Sequence, residues 1–313
     1  MKPDIQLAIV IPFFKLDYFE EVLKSLVNQT VTKFNVYIGN DCSKDSPLKL
    51  IDNYKNQLQL TYKEYKNNLG LNDLVAQWHR CLDLVESEEW VWFLPDDDIP
   101  SSNVVEEFYK GIVYQSKYNI KVFRMGLKII NKNKEIMRIN NLHAPKIEDN
   151  LSFYKRVASG EDSSTLGDNI FNKQCLLNSG GFVNFPKAWG SDHATILQTA
   201  SGGKIYFLSK AFLRFRMSGN NISSETSDGL LKLNARIEFV NWLKLNENIF
   251  PSKPDIEFYK LVYWKAEYYI INEWDFNLKL FITLYKLRRI CFLSGNLVPI
   301  ASVFIKKIKR VLS

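Results

Sequence analysis

The sequence predicts an α/β fold with a mostly parallel sheet flanked by helices and a helical C-terminal extension. Apolar runs too continuous for a half-wet strand recur at residues 7–11 and 90–94. Between them, strand-like and helical periodicities alternate, as crossover connections require. The polar turns of this stretch, Pro12-Phe13-Phe14, Asn40-Asp41 and Asp96-Asp97-Asp98, all fall at predicted strand ends, where open parallel sheets bind ligands.

Each element has its own warrant. Residues 7–11 form an apolar run that stops at Pro12. Phe19, Val22, Leu23, Leu26 and Val27 then recur at helical spacing with Glu20, Glu21 and Lys24 between them. A second strand over 34–39 ends at Asn40-Asp41. A helix follows Asp45-Ser46-Pro47, with Ser46 as its cap and Pro47 in its first turn. A third strand spans 58–62. Asn67-Asn68-Leu69-Gly70 turns the chain into a helix over about 72–85, and the strand into the three acids comes next. Further on, 121–130 reads as strand with basic decoration, and 144–168 as a polar, irregular segment suited to a mobile loop over a site. A short helix over 194–199 breaks at Ser201-Gly202-Gly203, and strands are expected at 204–208 and 212–215. Beyond 230 the chain is helical and aromatic, with a break at Pro251-Ser252-Lys253-Pro254.

Composition narrows the function. A chain of 313 residues fits one large or two closely packed domains. Cys42, Cys81, Cys175 and Cys291 show no CxxC spacing, so free thiols in a reducing, cytoplasmic setting are expected. His79, His143 and His193 lack the spacing of a zinc site. The glycines form neither a P-loop nor GxGxxG, which removes Walker NTPases and Rossmann dehydrogenases. The net charge is +7, yet 286–313 alone holds seven basic residues and no acidic one. A broad nucleic-acid-binding face is therefore excluded. The run from Val303 to Leu312 reads as a cationic amphipathic helix. It suits either an anionic membrane surface on the inner leaflet or plain solvent.

Three adjacent carboxylates repel one another, and a hard divalent cation offsets that best. The other reading of Asp96-Asp97-Asp98 is a solvated acidic turn.

Taken in order, these motifs resemble the inverting nucleotide-sugar glycosyltransferases of family 2, which have the GT-A fold. The resemblance runs from about residue 7 to 223. It rests on Ile9-Val10-Ile11-Pro12-Phe13-Phe14, Ser25-Leu26-Val27-Asn28-Gln29-Thr30, Asn40-Asp41-Cys42-Ser43-Lys44-Asp45, Asn68-Leu69-Gly70 and Asp96-Asp97-Asp98. Gly180-Gly181-Phe182, Ser191-Asp192-His193 and Arg216-Met217-Ser218-Gly219-Asn220-Asn221-Ile222-Ser223 complete it. There are departures: Lys15 stands where the family often has Asn, Cys42 where Gly is frequent, and Ser218 where His is frequent.

The resemblance implies a catalytic unit over 1–228, with a nucleotide-binding half at 1–100 and an acceptor half at 101–228. Residues 229–313 then form a helical C-terminal region with a basic end. Asp98 is implied to meet Mn²⁺ or Mg²⁺ and the donor diphosphate, Asp96 to contact the donor ribose or sugar, and Asp97 to assist. Asp41 is implied to meet the nucleobase, in a pocket shaped by Pro12 and Phe14. Asp192 is implied to be the general base that inversion requires. Arg214, Arg216 or His193 can replace the missing histidine at the diphosphate. Trp189 suits stacking on a sugar or packing in a core, and His193 suits orienting the acceptor or packing on the sheet. Residue chemistry alone leaves a helix cap open at Asp98 and Asp192, and an Asx turn at Asp41.

The implied activity is metal-dependent inverting transfer from a nucleoside-diphosphate sugar, UDP foremost, to a glycan hydroxyl. A lipid-linked acceptor in bacterial surface polysaccharide assembly suits the basic end. The competing reading is a non-catalytic carbohydrate-binding or scaffolding protein on the same fold.

Overall fold

The computed structural model describes residues 6–140, 144–219, 227–272, 274, 278–291 and 298–312. The first half alternates as expected: β1 (Leu7–Phe13), α1 (Phe19–Val27), β2 (Asn35–Asn40), α2 (Leu48–Tyr54), β3 (Leu60–Glu64), α3 (Leu74–Leu82) and β4 (Trp90–Phe93). After the acids come β5 (Ile99–Pro100), α4 (Val104–Ile112), α5 (Gln115–Tyr118), β6 (Ile120–Asn131), β7 (Ile136–Asn140) and β8 (Ile147–Glu148). There follow α6 (Asn150–Ser159), β9 (Asn169–Asn172), α7 (Lys173–Asn178), α8 (Ser191–Thr199) and β10 (Lys204–Met217). The chain finishes in α9 (Gly229–Leu245), α10 (Ile256–Asn272), α11 (Leu278–Ile290) and α12 (Val298–Leu312).

The sheet runs β3-β2-β1-β4-β9-β6-β10-β5, with β7 beside β6 and β8 beside β10. Its long pairings, β1 with β2 and β6 with β10, are parallel, while β9 runs antiparallel between β4 and β6. Alternation along β1 explains its continuous apolar run. Leu7, Ile9, Ile11 and Phe13 fill the core on one face, and Ala8 and Val10 fill the other. The second core continues without a break into Leu233, Phe239, Val262, Leu284 and Val303 of α9–α12.

Four local expectations change. Pro47 itself caps α2, and the Ser46 hydroxyl makes only a 3.5 Å contact with Leu48 N. The helix expected over 72–85 is shorter, because Asp73 accepts from Ala76 N and sets its start. The strands at 204–208 and 212–215 are one strand, β10, with an irregularity between Leu208 and Phe212. The segment 144–168 is no loose lid. Asp149 caps α6 by accepting from Ser152 N, and Phe153, Tyr154 and Val157 are fully buried. The loop behind α6 is tied down by the buried Arg124, which forks onto Asp162 at 2.7 and 2.8 Å and reaches Asp168 at 3.3 Å.

The basic end also takes a definite form. Ile300 and Val303 of α12 are buried, and the Phe304 ring lies 4.8 Å from Phe281. Lys307 is buried too, its ammonium donating to Trp274 O. Lys306, Lys309, Arg310 and the half-exposed Ile305 face outward. Among the described residues, no helix is long and apolar enough to cross a membrane.

Candidate functional site

Two places carry the candidate acids: the carboxyl ends of β2 and β4, and the first turn of α8. The triplet follows β4. Asp96 Oδ2 accepts from both Phe14 N and Lys15 N at 2.7 Å, so it fastens the turn after β1 to the end of β4. Asp98 is fully buried and leads into β5, not into a helix, so it is no helix cap. Its Oδ1 accepts from Arg216 N at 2.8 Å. Its Oδ2 is buried with no hydrogen-bond partner.

Arg216, near the end of β10, holds this arrangement together. Its guanidinium is buried over the Tyr18 ring at 4.0 Å and donates to Asp97 O at 2.9 Å and to Glu21 at 2.7 Å. It is therefore a clamp on the triplet, with its charge set against Glu21. Arg214, two residues earlier, lies over the Phe212 ring at 5.1 Å. The closing motif continues into Asn220–Ser223, which lies outside the described residues, as does His143.

Burial is the first cause of the triplet's electrostatics. It pushes Asp96 up to about 6, with the Asp97 charge adding to it. Burial and then the Asp97 charge raise Asp98 well above the usual carboxylate range. An orphaned carboxylate oxygen among three crowded acids fits a divalent cation. Among the described residues, no group of three or more His, Cys, Asp or Glu is arranged to hold one unaided. The donor set thus suits Mg²⁺ or Mn²⁺ bound by Asp98 together with phosphate oxygens of a ligand.

Asp41 is buried, and both its oxygens are engaged. They accept from Leu69 N at 2.7 Å, from Gly70 N at 2.8 Å, and from the Arg80 guanidinium. Asp41 thereby pins the Asn68-Leu69-Gly70 turn beside β2. The Asx-type turn belongs to its neighbour, since Asn40 Oδ1 accepts from Ser43 N at 2.9 Å. Cys42 adopts φ 55°, a left-handed conformation suited to the glycine frequent at this place. Pro12 is half-buried, and the Phe14 ring is 43 % exposed beside this turn.

The second group surrounds Asp192. Gly190 takes φ 91° and starts α8, which puts Asp192 inside the first turn and not at the cap. Its Oδ1 accepts from His193 N at 2.8 Å, and 22 % of its side chain is exposed. Burial pushes it up to about 6. His193 packs inward. Its Nε2 donates to Ser164 O at 3.2 Å and its ring lies 5.5 Å from that of Tyr154. Burial lowers it well below the usual value, so it is neutral. Trp189 is packed against Tyr269 and Trp274, at 5.6 and 6.2 Å.

Residues 164–168 join the two groups. Trp92 Nε1, on the strand leading to the triplet, donates to Gly167 O at 2.7 Å. A Cβ on Gly167 would lie 2.9 Å from Pro95 Cδ, so only glycine lets this segment touch the triplet's approach. At its other end Ser164 O accepts from His193. The segment's buried Asp168 takes hydrogen bonds from Thr165 and Ser164. Sequence reading missed this bridge. It also missed Tyr154, Arg236 and Lys265, which stand around Asp192. Of the missed groups, only the glycine of the bridge gives a local signal.

The comparisons with known proteins follow this geometry. Residues 8–160 match the model of the family described as Glycosyl transferase family 2. The chain is 30% identical over 131 residues to the poly(ribitol-phosphate) beta-N-acetylglucosaminyltransferase TarS of Staphylococcus aureus. That match covers 41% of this chain and only 22% of the relative. The fold is similar to a crystal structure of S. aureus TarS 1–349 in complex with UDP-GlcNAc. The TM-score is 0.69 at 17% identity, over 97% of this chain and 89% of that one. It is also similar to the mannosyltransferase PcManGT of Pyrobaculum calidifontis in complex with GDP-Man and Mn²⁺. There the TM-score is 0.56 at 14% identity, over 98% of this chain and 81% of that one. Residues 8–160, just under half of the chain, thus match glycosyl transferase family 2, and the fold is similar to that of these transferases over nearly the whole chain.

Proposed function

We propose that the protein transfers a sugar, with inversion, from a UDP-sugar to a hydroxyl of a glycan acceptor in bacterial surface-polymer assembly. One observation carries this reading. Residues 164–168 connect the strand that leads to the orphaned triplet carboxylate with His193, next to the partly exposed Asp192, which supports a donor side and an acceptor side close to one another. The family match and the UDP-GlcNAc bound by the similar TarS structure support the donor class.

In this reading Phe14 and Pro12 flank the base, and Asp41 shapes its pocket by holding the glycine turn. Asp96 supports the turn after β1 against the sugar or ribose, with Asp97 beside it. Asp98 holds Mn²⁺ or Mg²⁺, which when bound neutralises charge on the departing diphosphate. Asp192 takes the proton of the acceptor hydroxyl as its oxygen attacks the anomeric carbon from the face opposite the diphosphate. Residues 1–228 serve as the catalytic unit, divided near residue 100 between nucleotide and acceptor. The outward basic face of α12 suits an anionic membrane bearing a lipid-linked acceptor. Equal flotation with phosphatidylglycerol vesicles after removal of 286–313 would exclude that contact.

The test of the whole reading is calorimetric binding of UDP, GDP, dTDP and CDP, with and without Mn²⁺, to wild type and Asp98→Asn. UDP binding that needs both Mn²⁺ and Asp98 is expected. Binding of none by folded protein would leave a non-catalytic carbohydrate-binding relative.

A further inference from the structure

Asp192 stands beside two cations from the C-terminal helices. Arg236 of α9 is 3 % exposed and has one hydrogen bond, from Nη1 to the Tyr154 hydroxyl at 3.0 Å. Lys265 of α10 donates to Val157 O at 2.5 Å. Neither has a carboxylate within ion-pairing distance among the described residues; both are held by α6 at Tyr154 and Val157, and the Tyr154 ring lies 5.5 Å from that of His193, next to Asp192, whose charge both cations feel. The other groups around Asp192 do not balance them. His193 is neutral, Tyr154 and Tyr269 are uncharged phenols, and Arg138 of β7 adds more positive charge. Asp162 reaches Lys265 only at long range, and its own oxygens are bonded to Arg124 and Arg156.

Two cations therefore face one carboxylate in a place where burial penalises unbalanced charge. Lys265 records that penalty, lowered to about 8 by burial and then by the Arg236 charge. The excess does not serve the triplet, because the cations acting on Asp96 and Asp98 are Lys15 and Arg216.

We propose that Arg236 and Lys265 form an anion subsite beside Asp192 that binds a phosphate or carboxylate group of the acceptor, so the acceptor is an acidic polymer. The planar guanidinium supplies paired N–H donors and the ammonium a point charge, a combination suited to a tetrahedral or planar oxyanion. The inference rests on Asp192 being the acceptor-side base. It adds that the acceptor is selected by charge, and that the helical extension completes the acceptor site.

The test is calorimetry at saturating UDP and Mn²⁺, so that the donor site is filled. The probes are ribitol 5-phosphate, gluconate and neutral ribitol, titrated into wild type, Arg236→Met and Lys265→Met. Wild type is expected to bind one or both anions at least tenfold more tightly than ribitol. Preference between phosphate and gluconate names the acid. Each variant is expected to lose at least tenfold for the anion while UDP affinity stays unchanged, which shows that the variant is folded. Equal binding of the anionic and neutral probes, or undiminished anion binding in both variants, would overturn the subsite. Absence of UDP binding in wild type would sink the proposed function, a separate result read in the same instrument.

Discussion

The triplet and the surroundings of Asp192 are built in opposite ways. At the triplet, three acids crowd together, and the one buried guanidinium among them is already set against Glu21. Around Asp192, one acid meets two cations that lack carboxylate partners among the described residues. Burial raises Asp98 and Asp192 alike, but the surplus charge is negative at one end and positive at the other. A surplus of either sign is expensive in a dry site unless a ligand cancels it. In the proposed reading, the contrast separates a cation-seeking donor end from an anion-seeking acceptor end.

The sharpest way to break that contrast is Asp192→Asn. Transfer is expected to fall by about 10³-fold or more, within the range of general-base effects, while UDP binding is kept. A variant retaining a tenth of the activity would remove Asp192 from the chemistry. Arg216→Met attacks the other end. It strips the clamp from Asp97 and Glu21, although Glu21 is partly exposed and keeps Lys134 at 3.0 Å, so the loss of the two charged hydrogen bonds should cost about 1–3 kcal/mol in urea unfolding. Mn²⁺-dependent UDP binding should weaken with it.

Acidity sharpens the comparison next. A base acts only when ionised, and Asp192 is raised to about 6 from the usual range near 4. At saturating donor, transfer should therefore fall as the pH drops through about 6, by roughly tenfold per unit below it. A limb near 4 would mean that Asp192 is not the group titrating.

Gly70→Ala probes the pocket more gently. The added Cβ would lie 2.6 Å from Asp41 Oδ2, so the Asp41 clamp must shift. UDP binding should weaken by about tenfold, near 1.4 kcal/mol. Smallest is Cys42→Gly, which relieves a left-handed cysteine and should leave stability unchanged or raise it by up to about 1 kcal/mol.

The first half of the chain was readable because its strands are buried on both faces and its turns carry the chemistry. Leu7 to Ile11 and Trp90 to Phe93 announce themselves as apolar runs, and the acids follow at once. The rest depends on contacts made far along the sequence. Arg124 looks like decoration on a basic strand until Asp162 and Asp168 fold over it. The polar residues of α6 look like loop, yet Asn150 is buried and bridges Leu197 O and Ile249 O, both at 2.9 Å. Arg236 and Lys265 read as solvent-facing charges of two ordinary helices. No local pattern reveals that both helices turn those residues toward Asp192.

The apolar layer that runs from Ala8 to Val303 has a consequence for how the protein is made. On this side β1 is covered by α3, while α9 and α10 lie further out, packed on α8 and α6. Until α9–α12 emerge, the nascent chain carries an uncovered apolar face on α6 and α8, a surface on which chaperones or neighbouring nascent chains would gather. Synthesis that stalls between β10 and α9 should therefore be more hazardous for this protein than synthesis that stalls before α6.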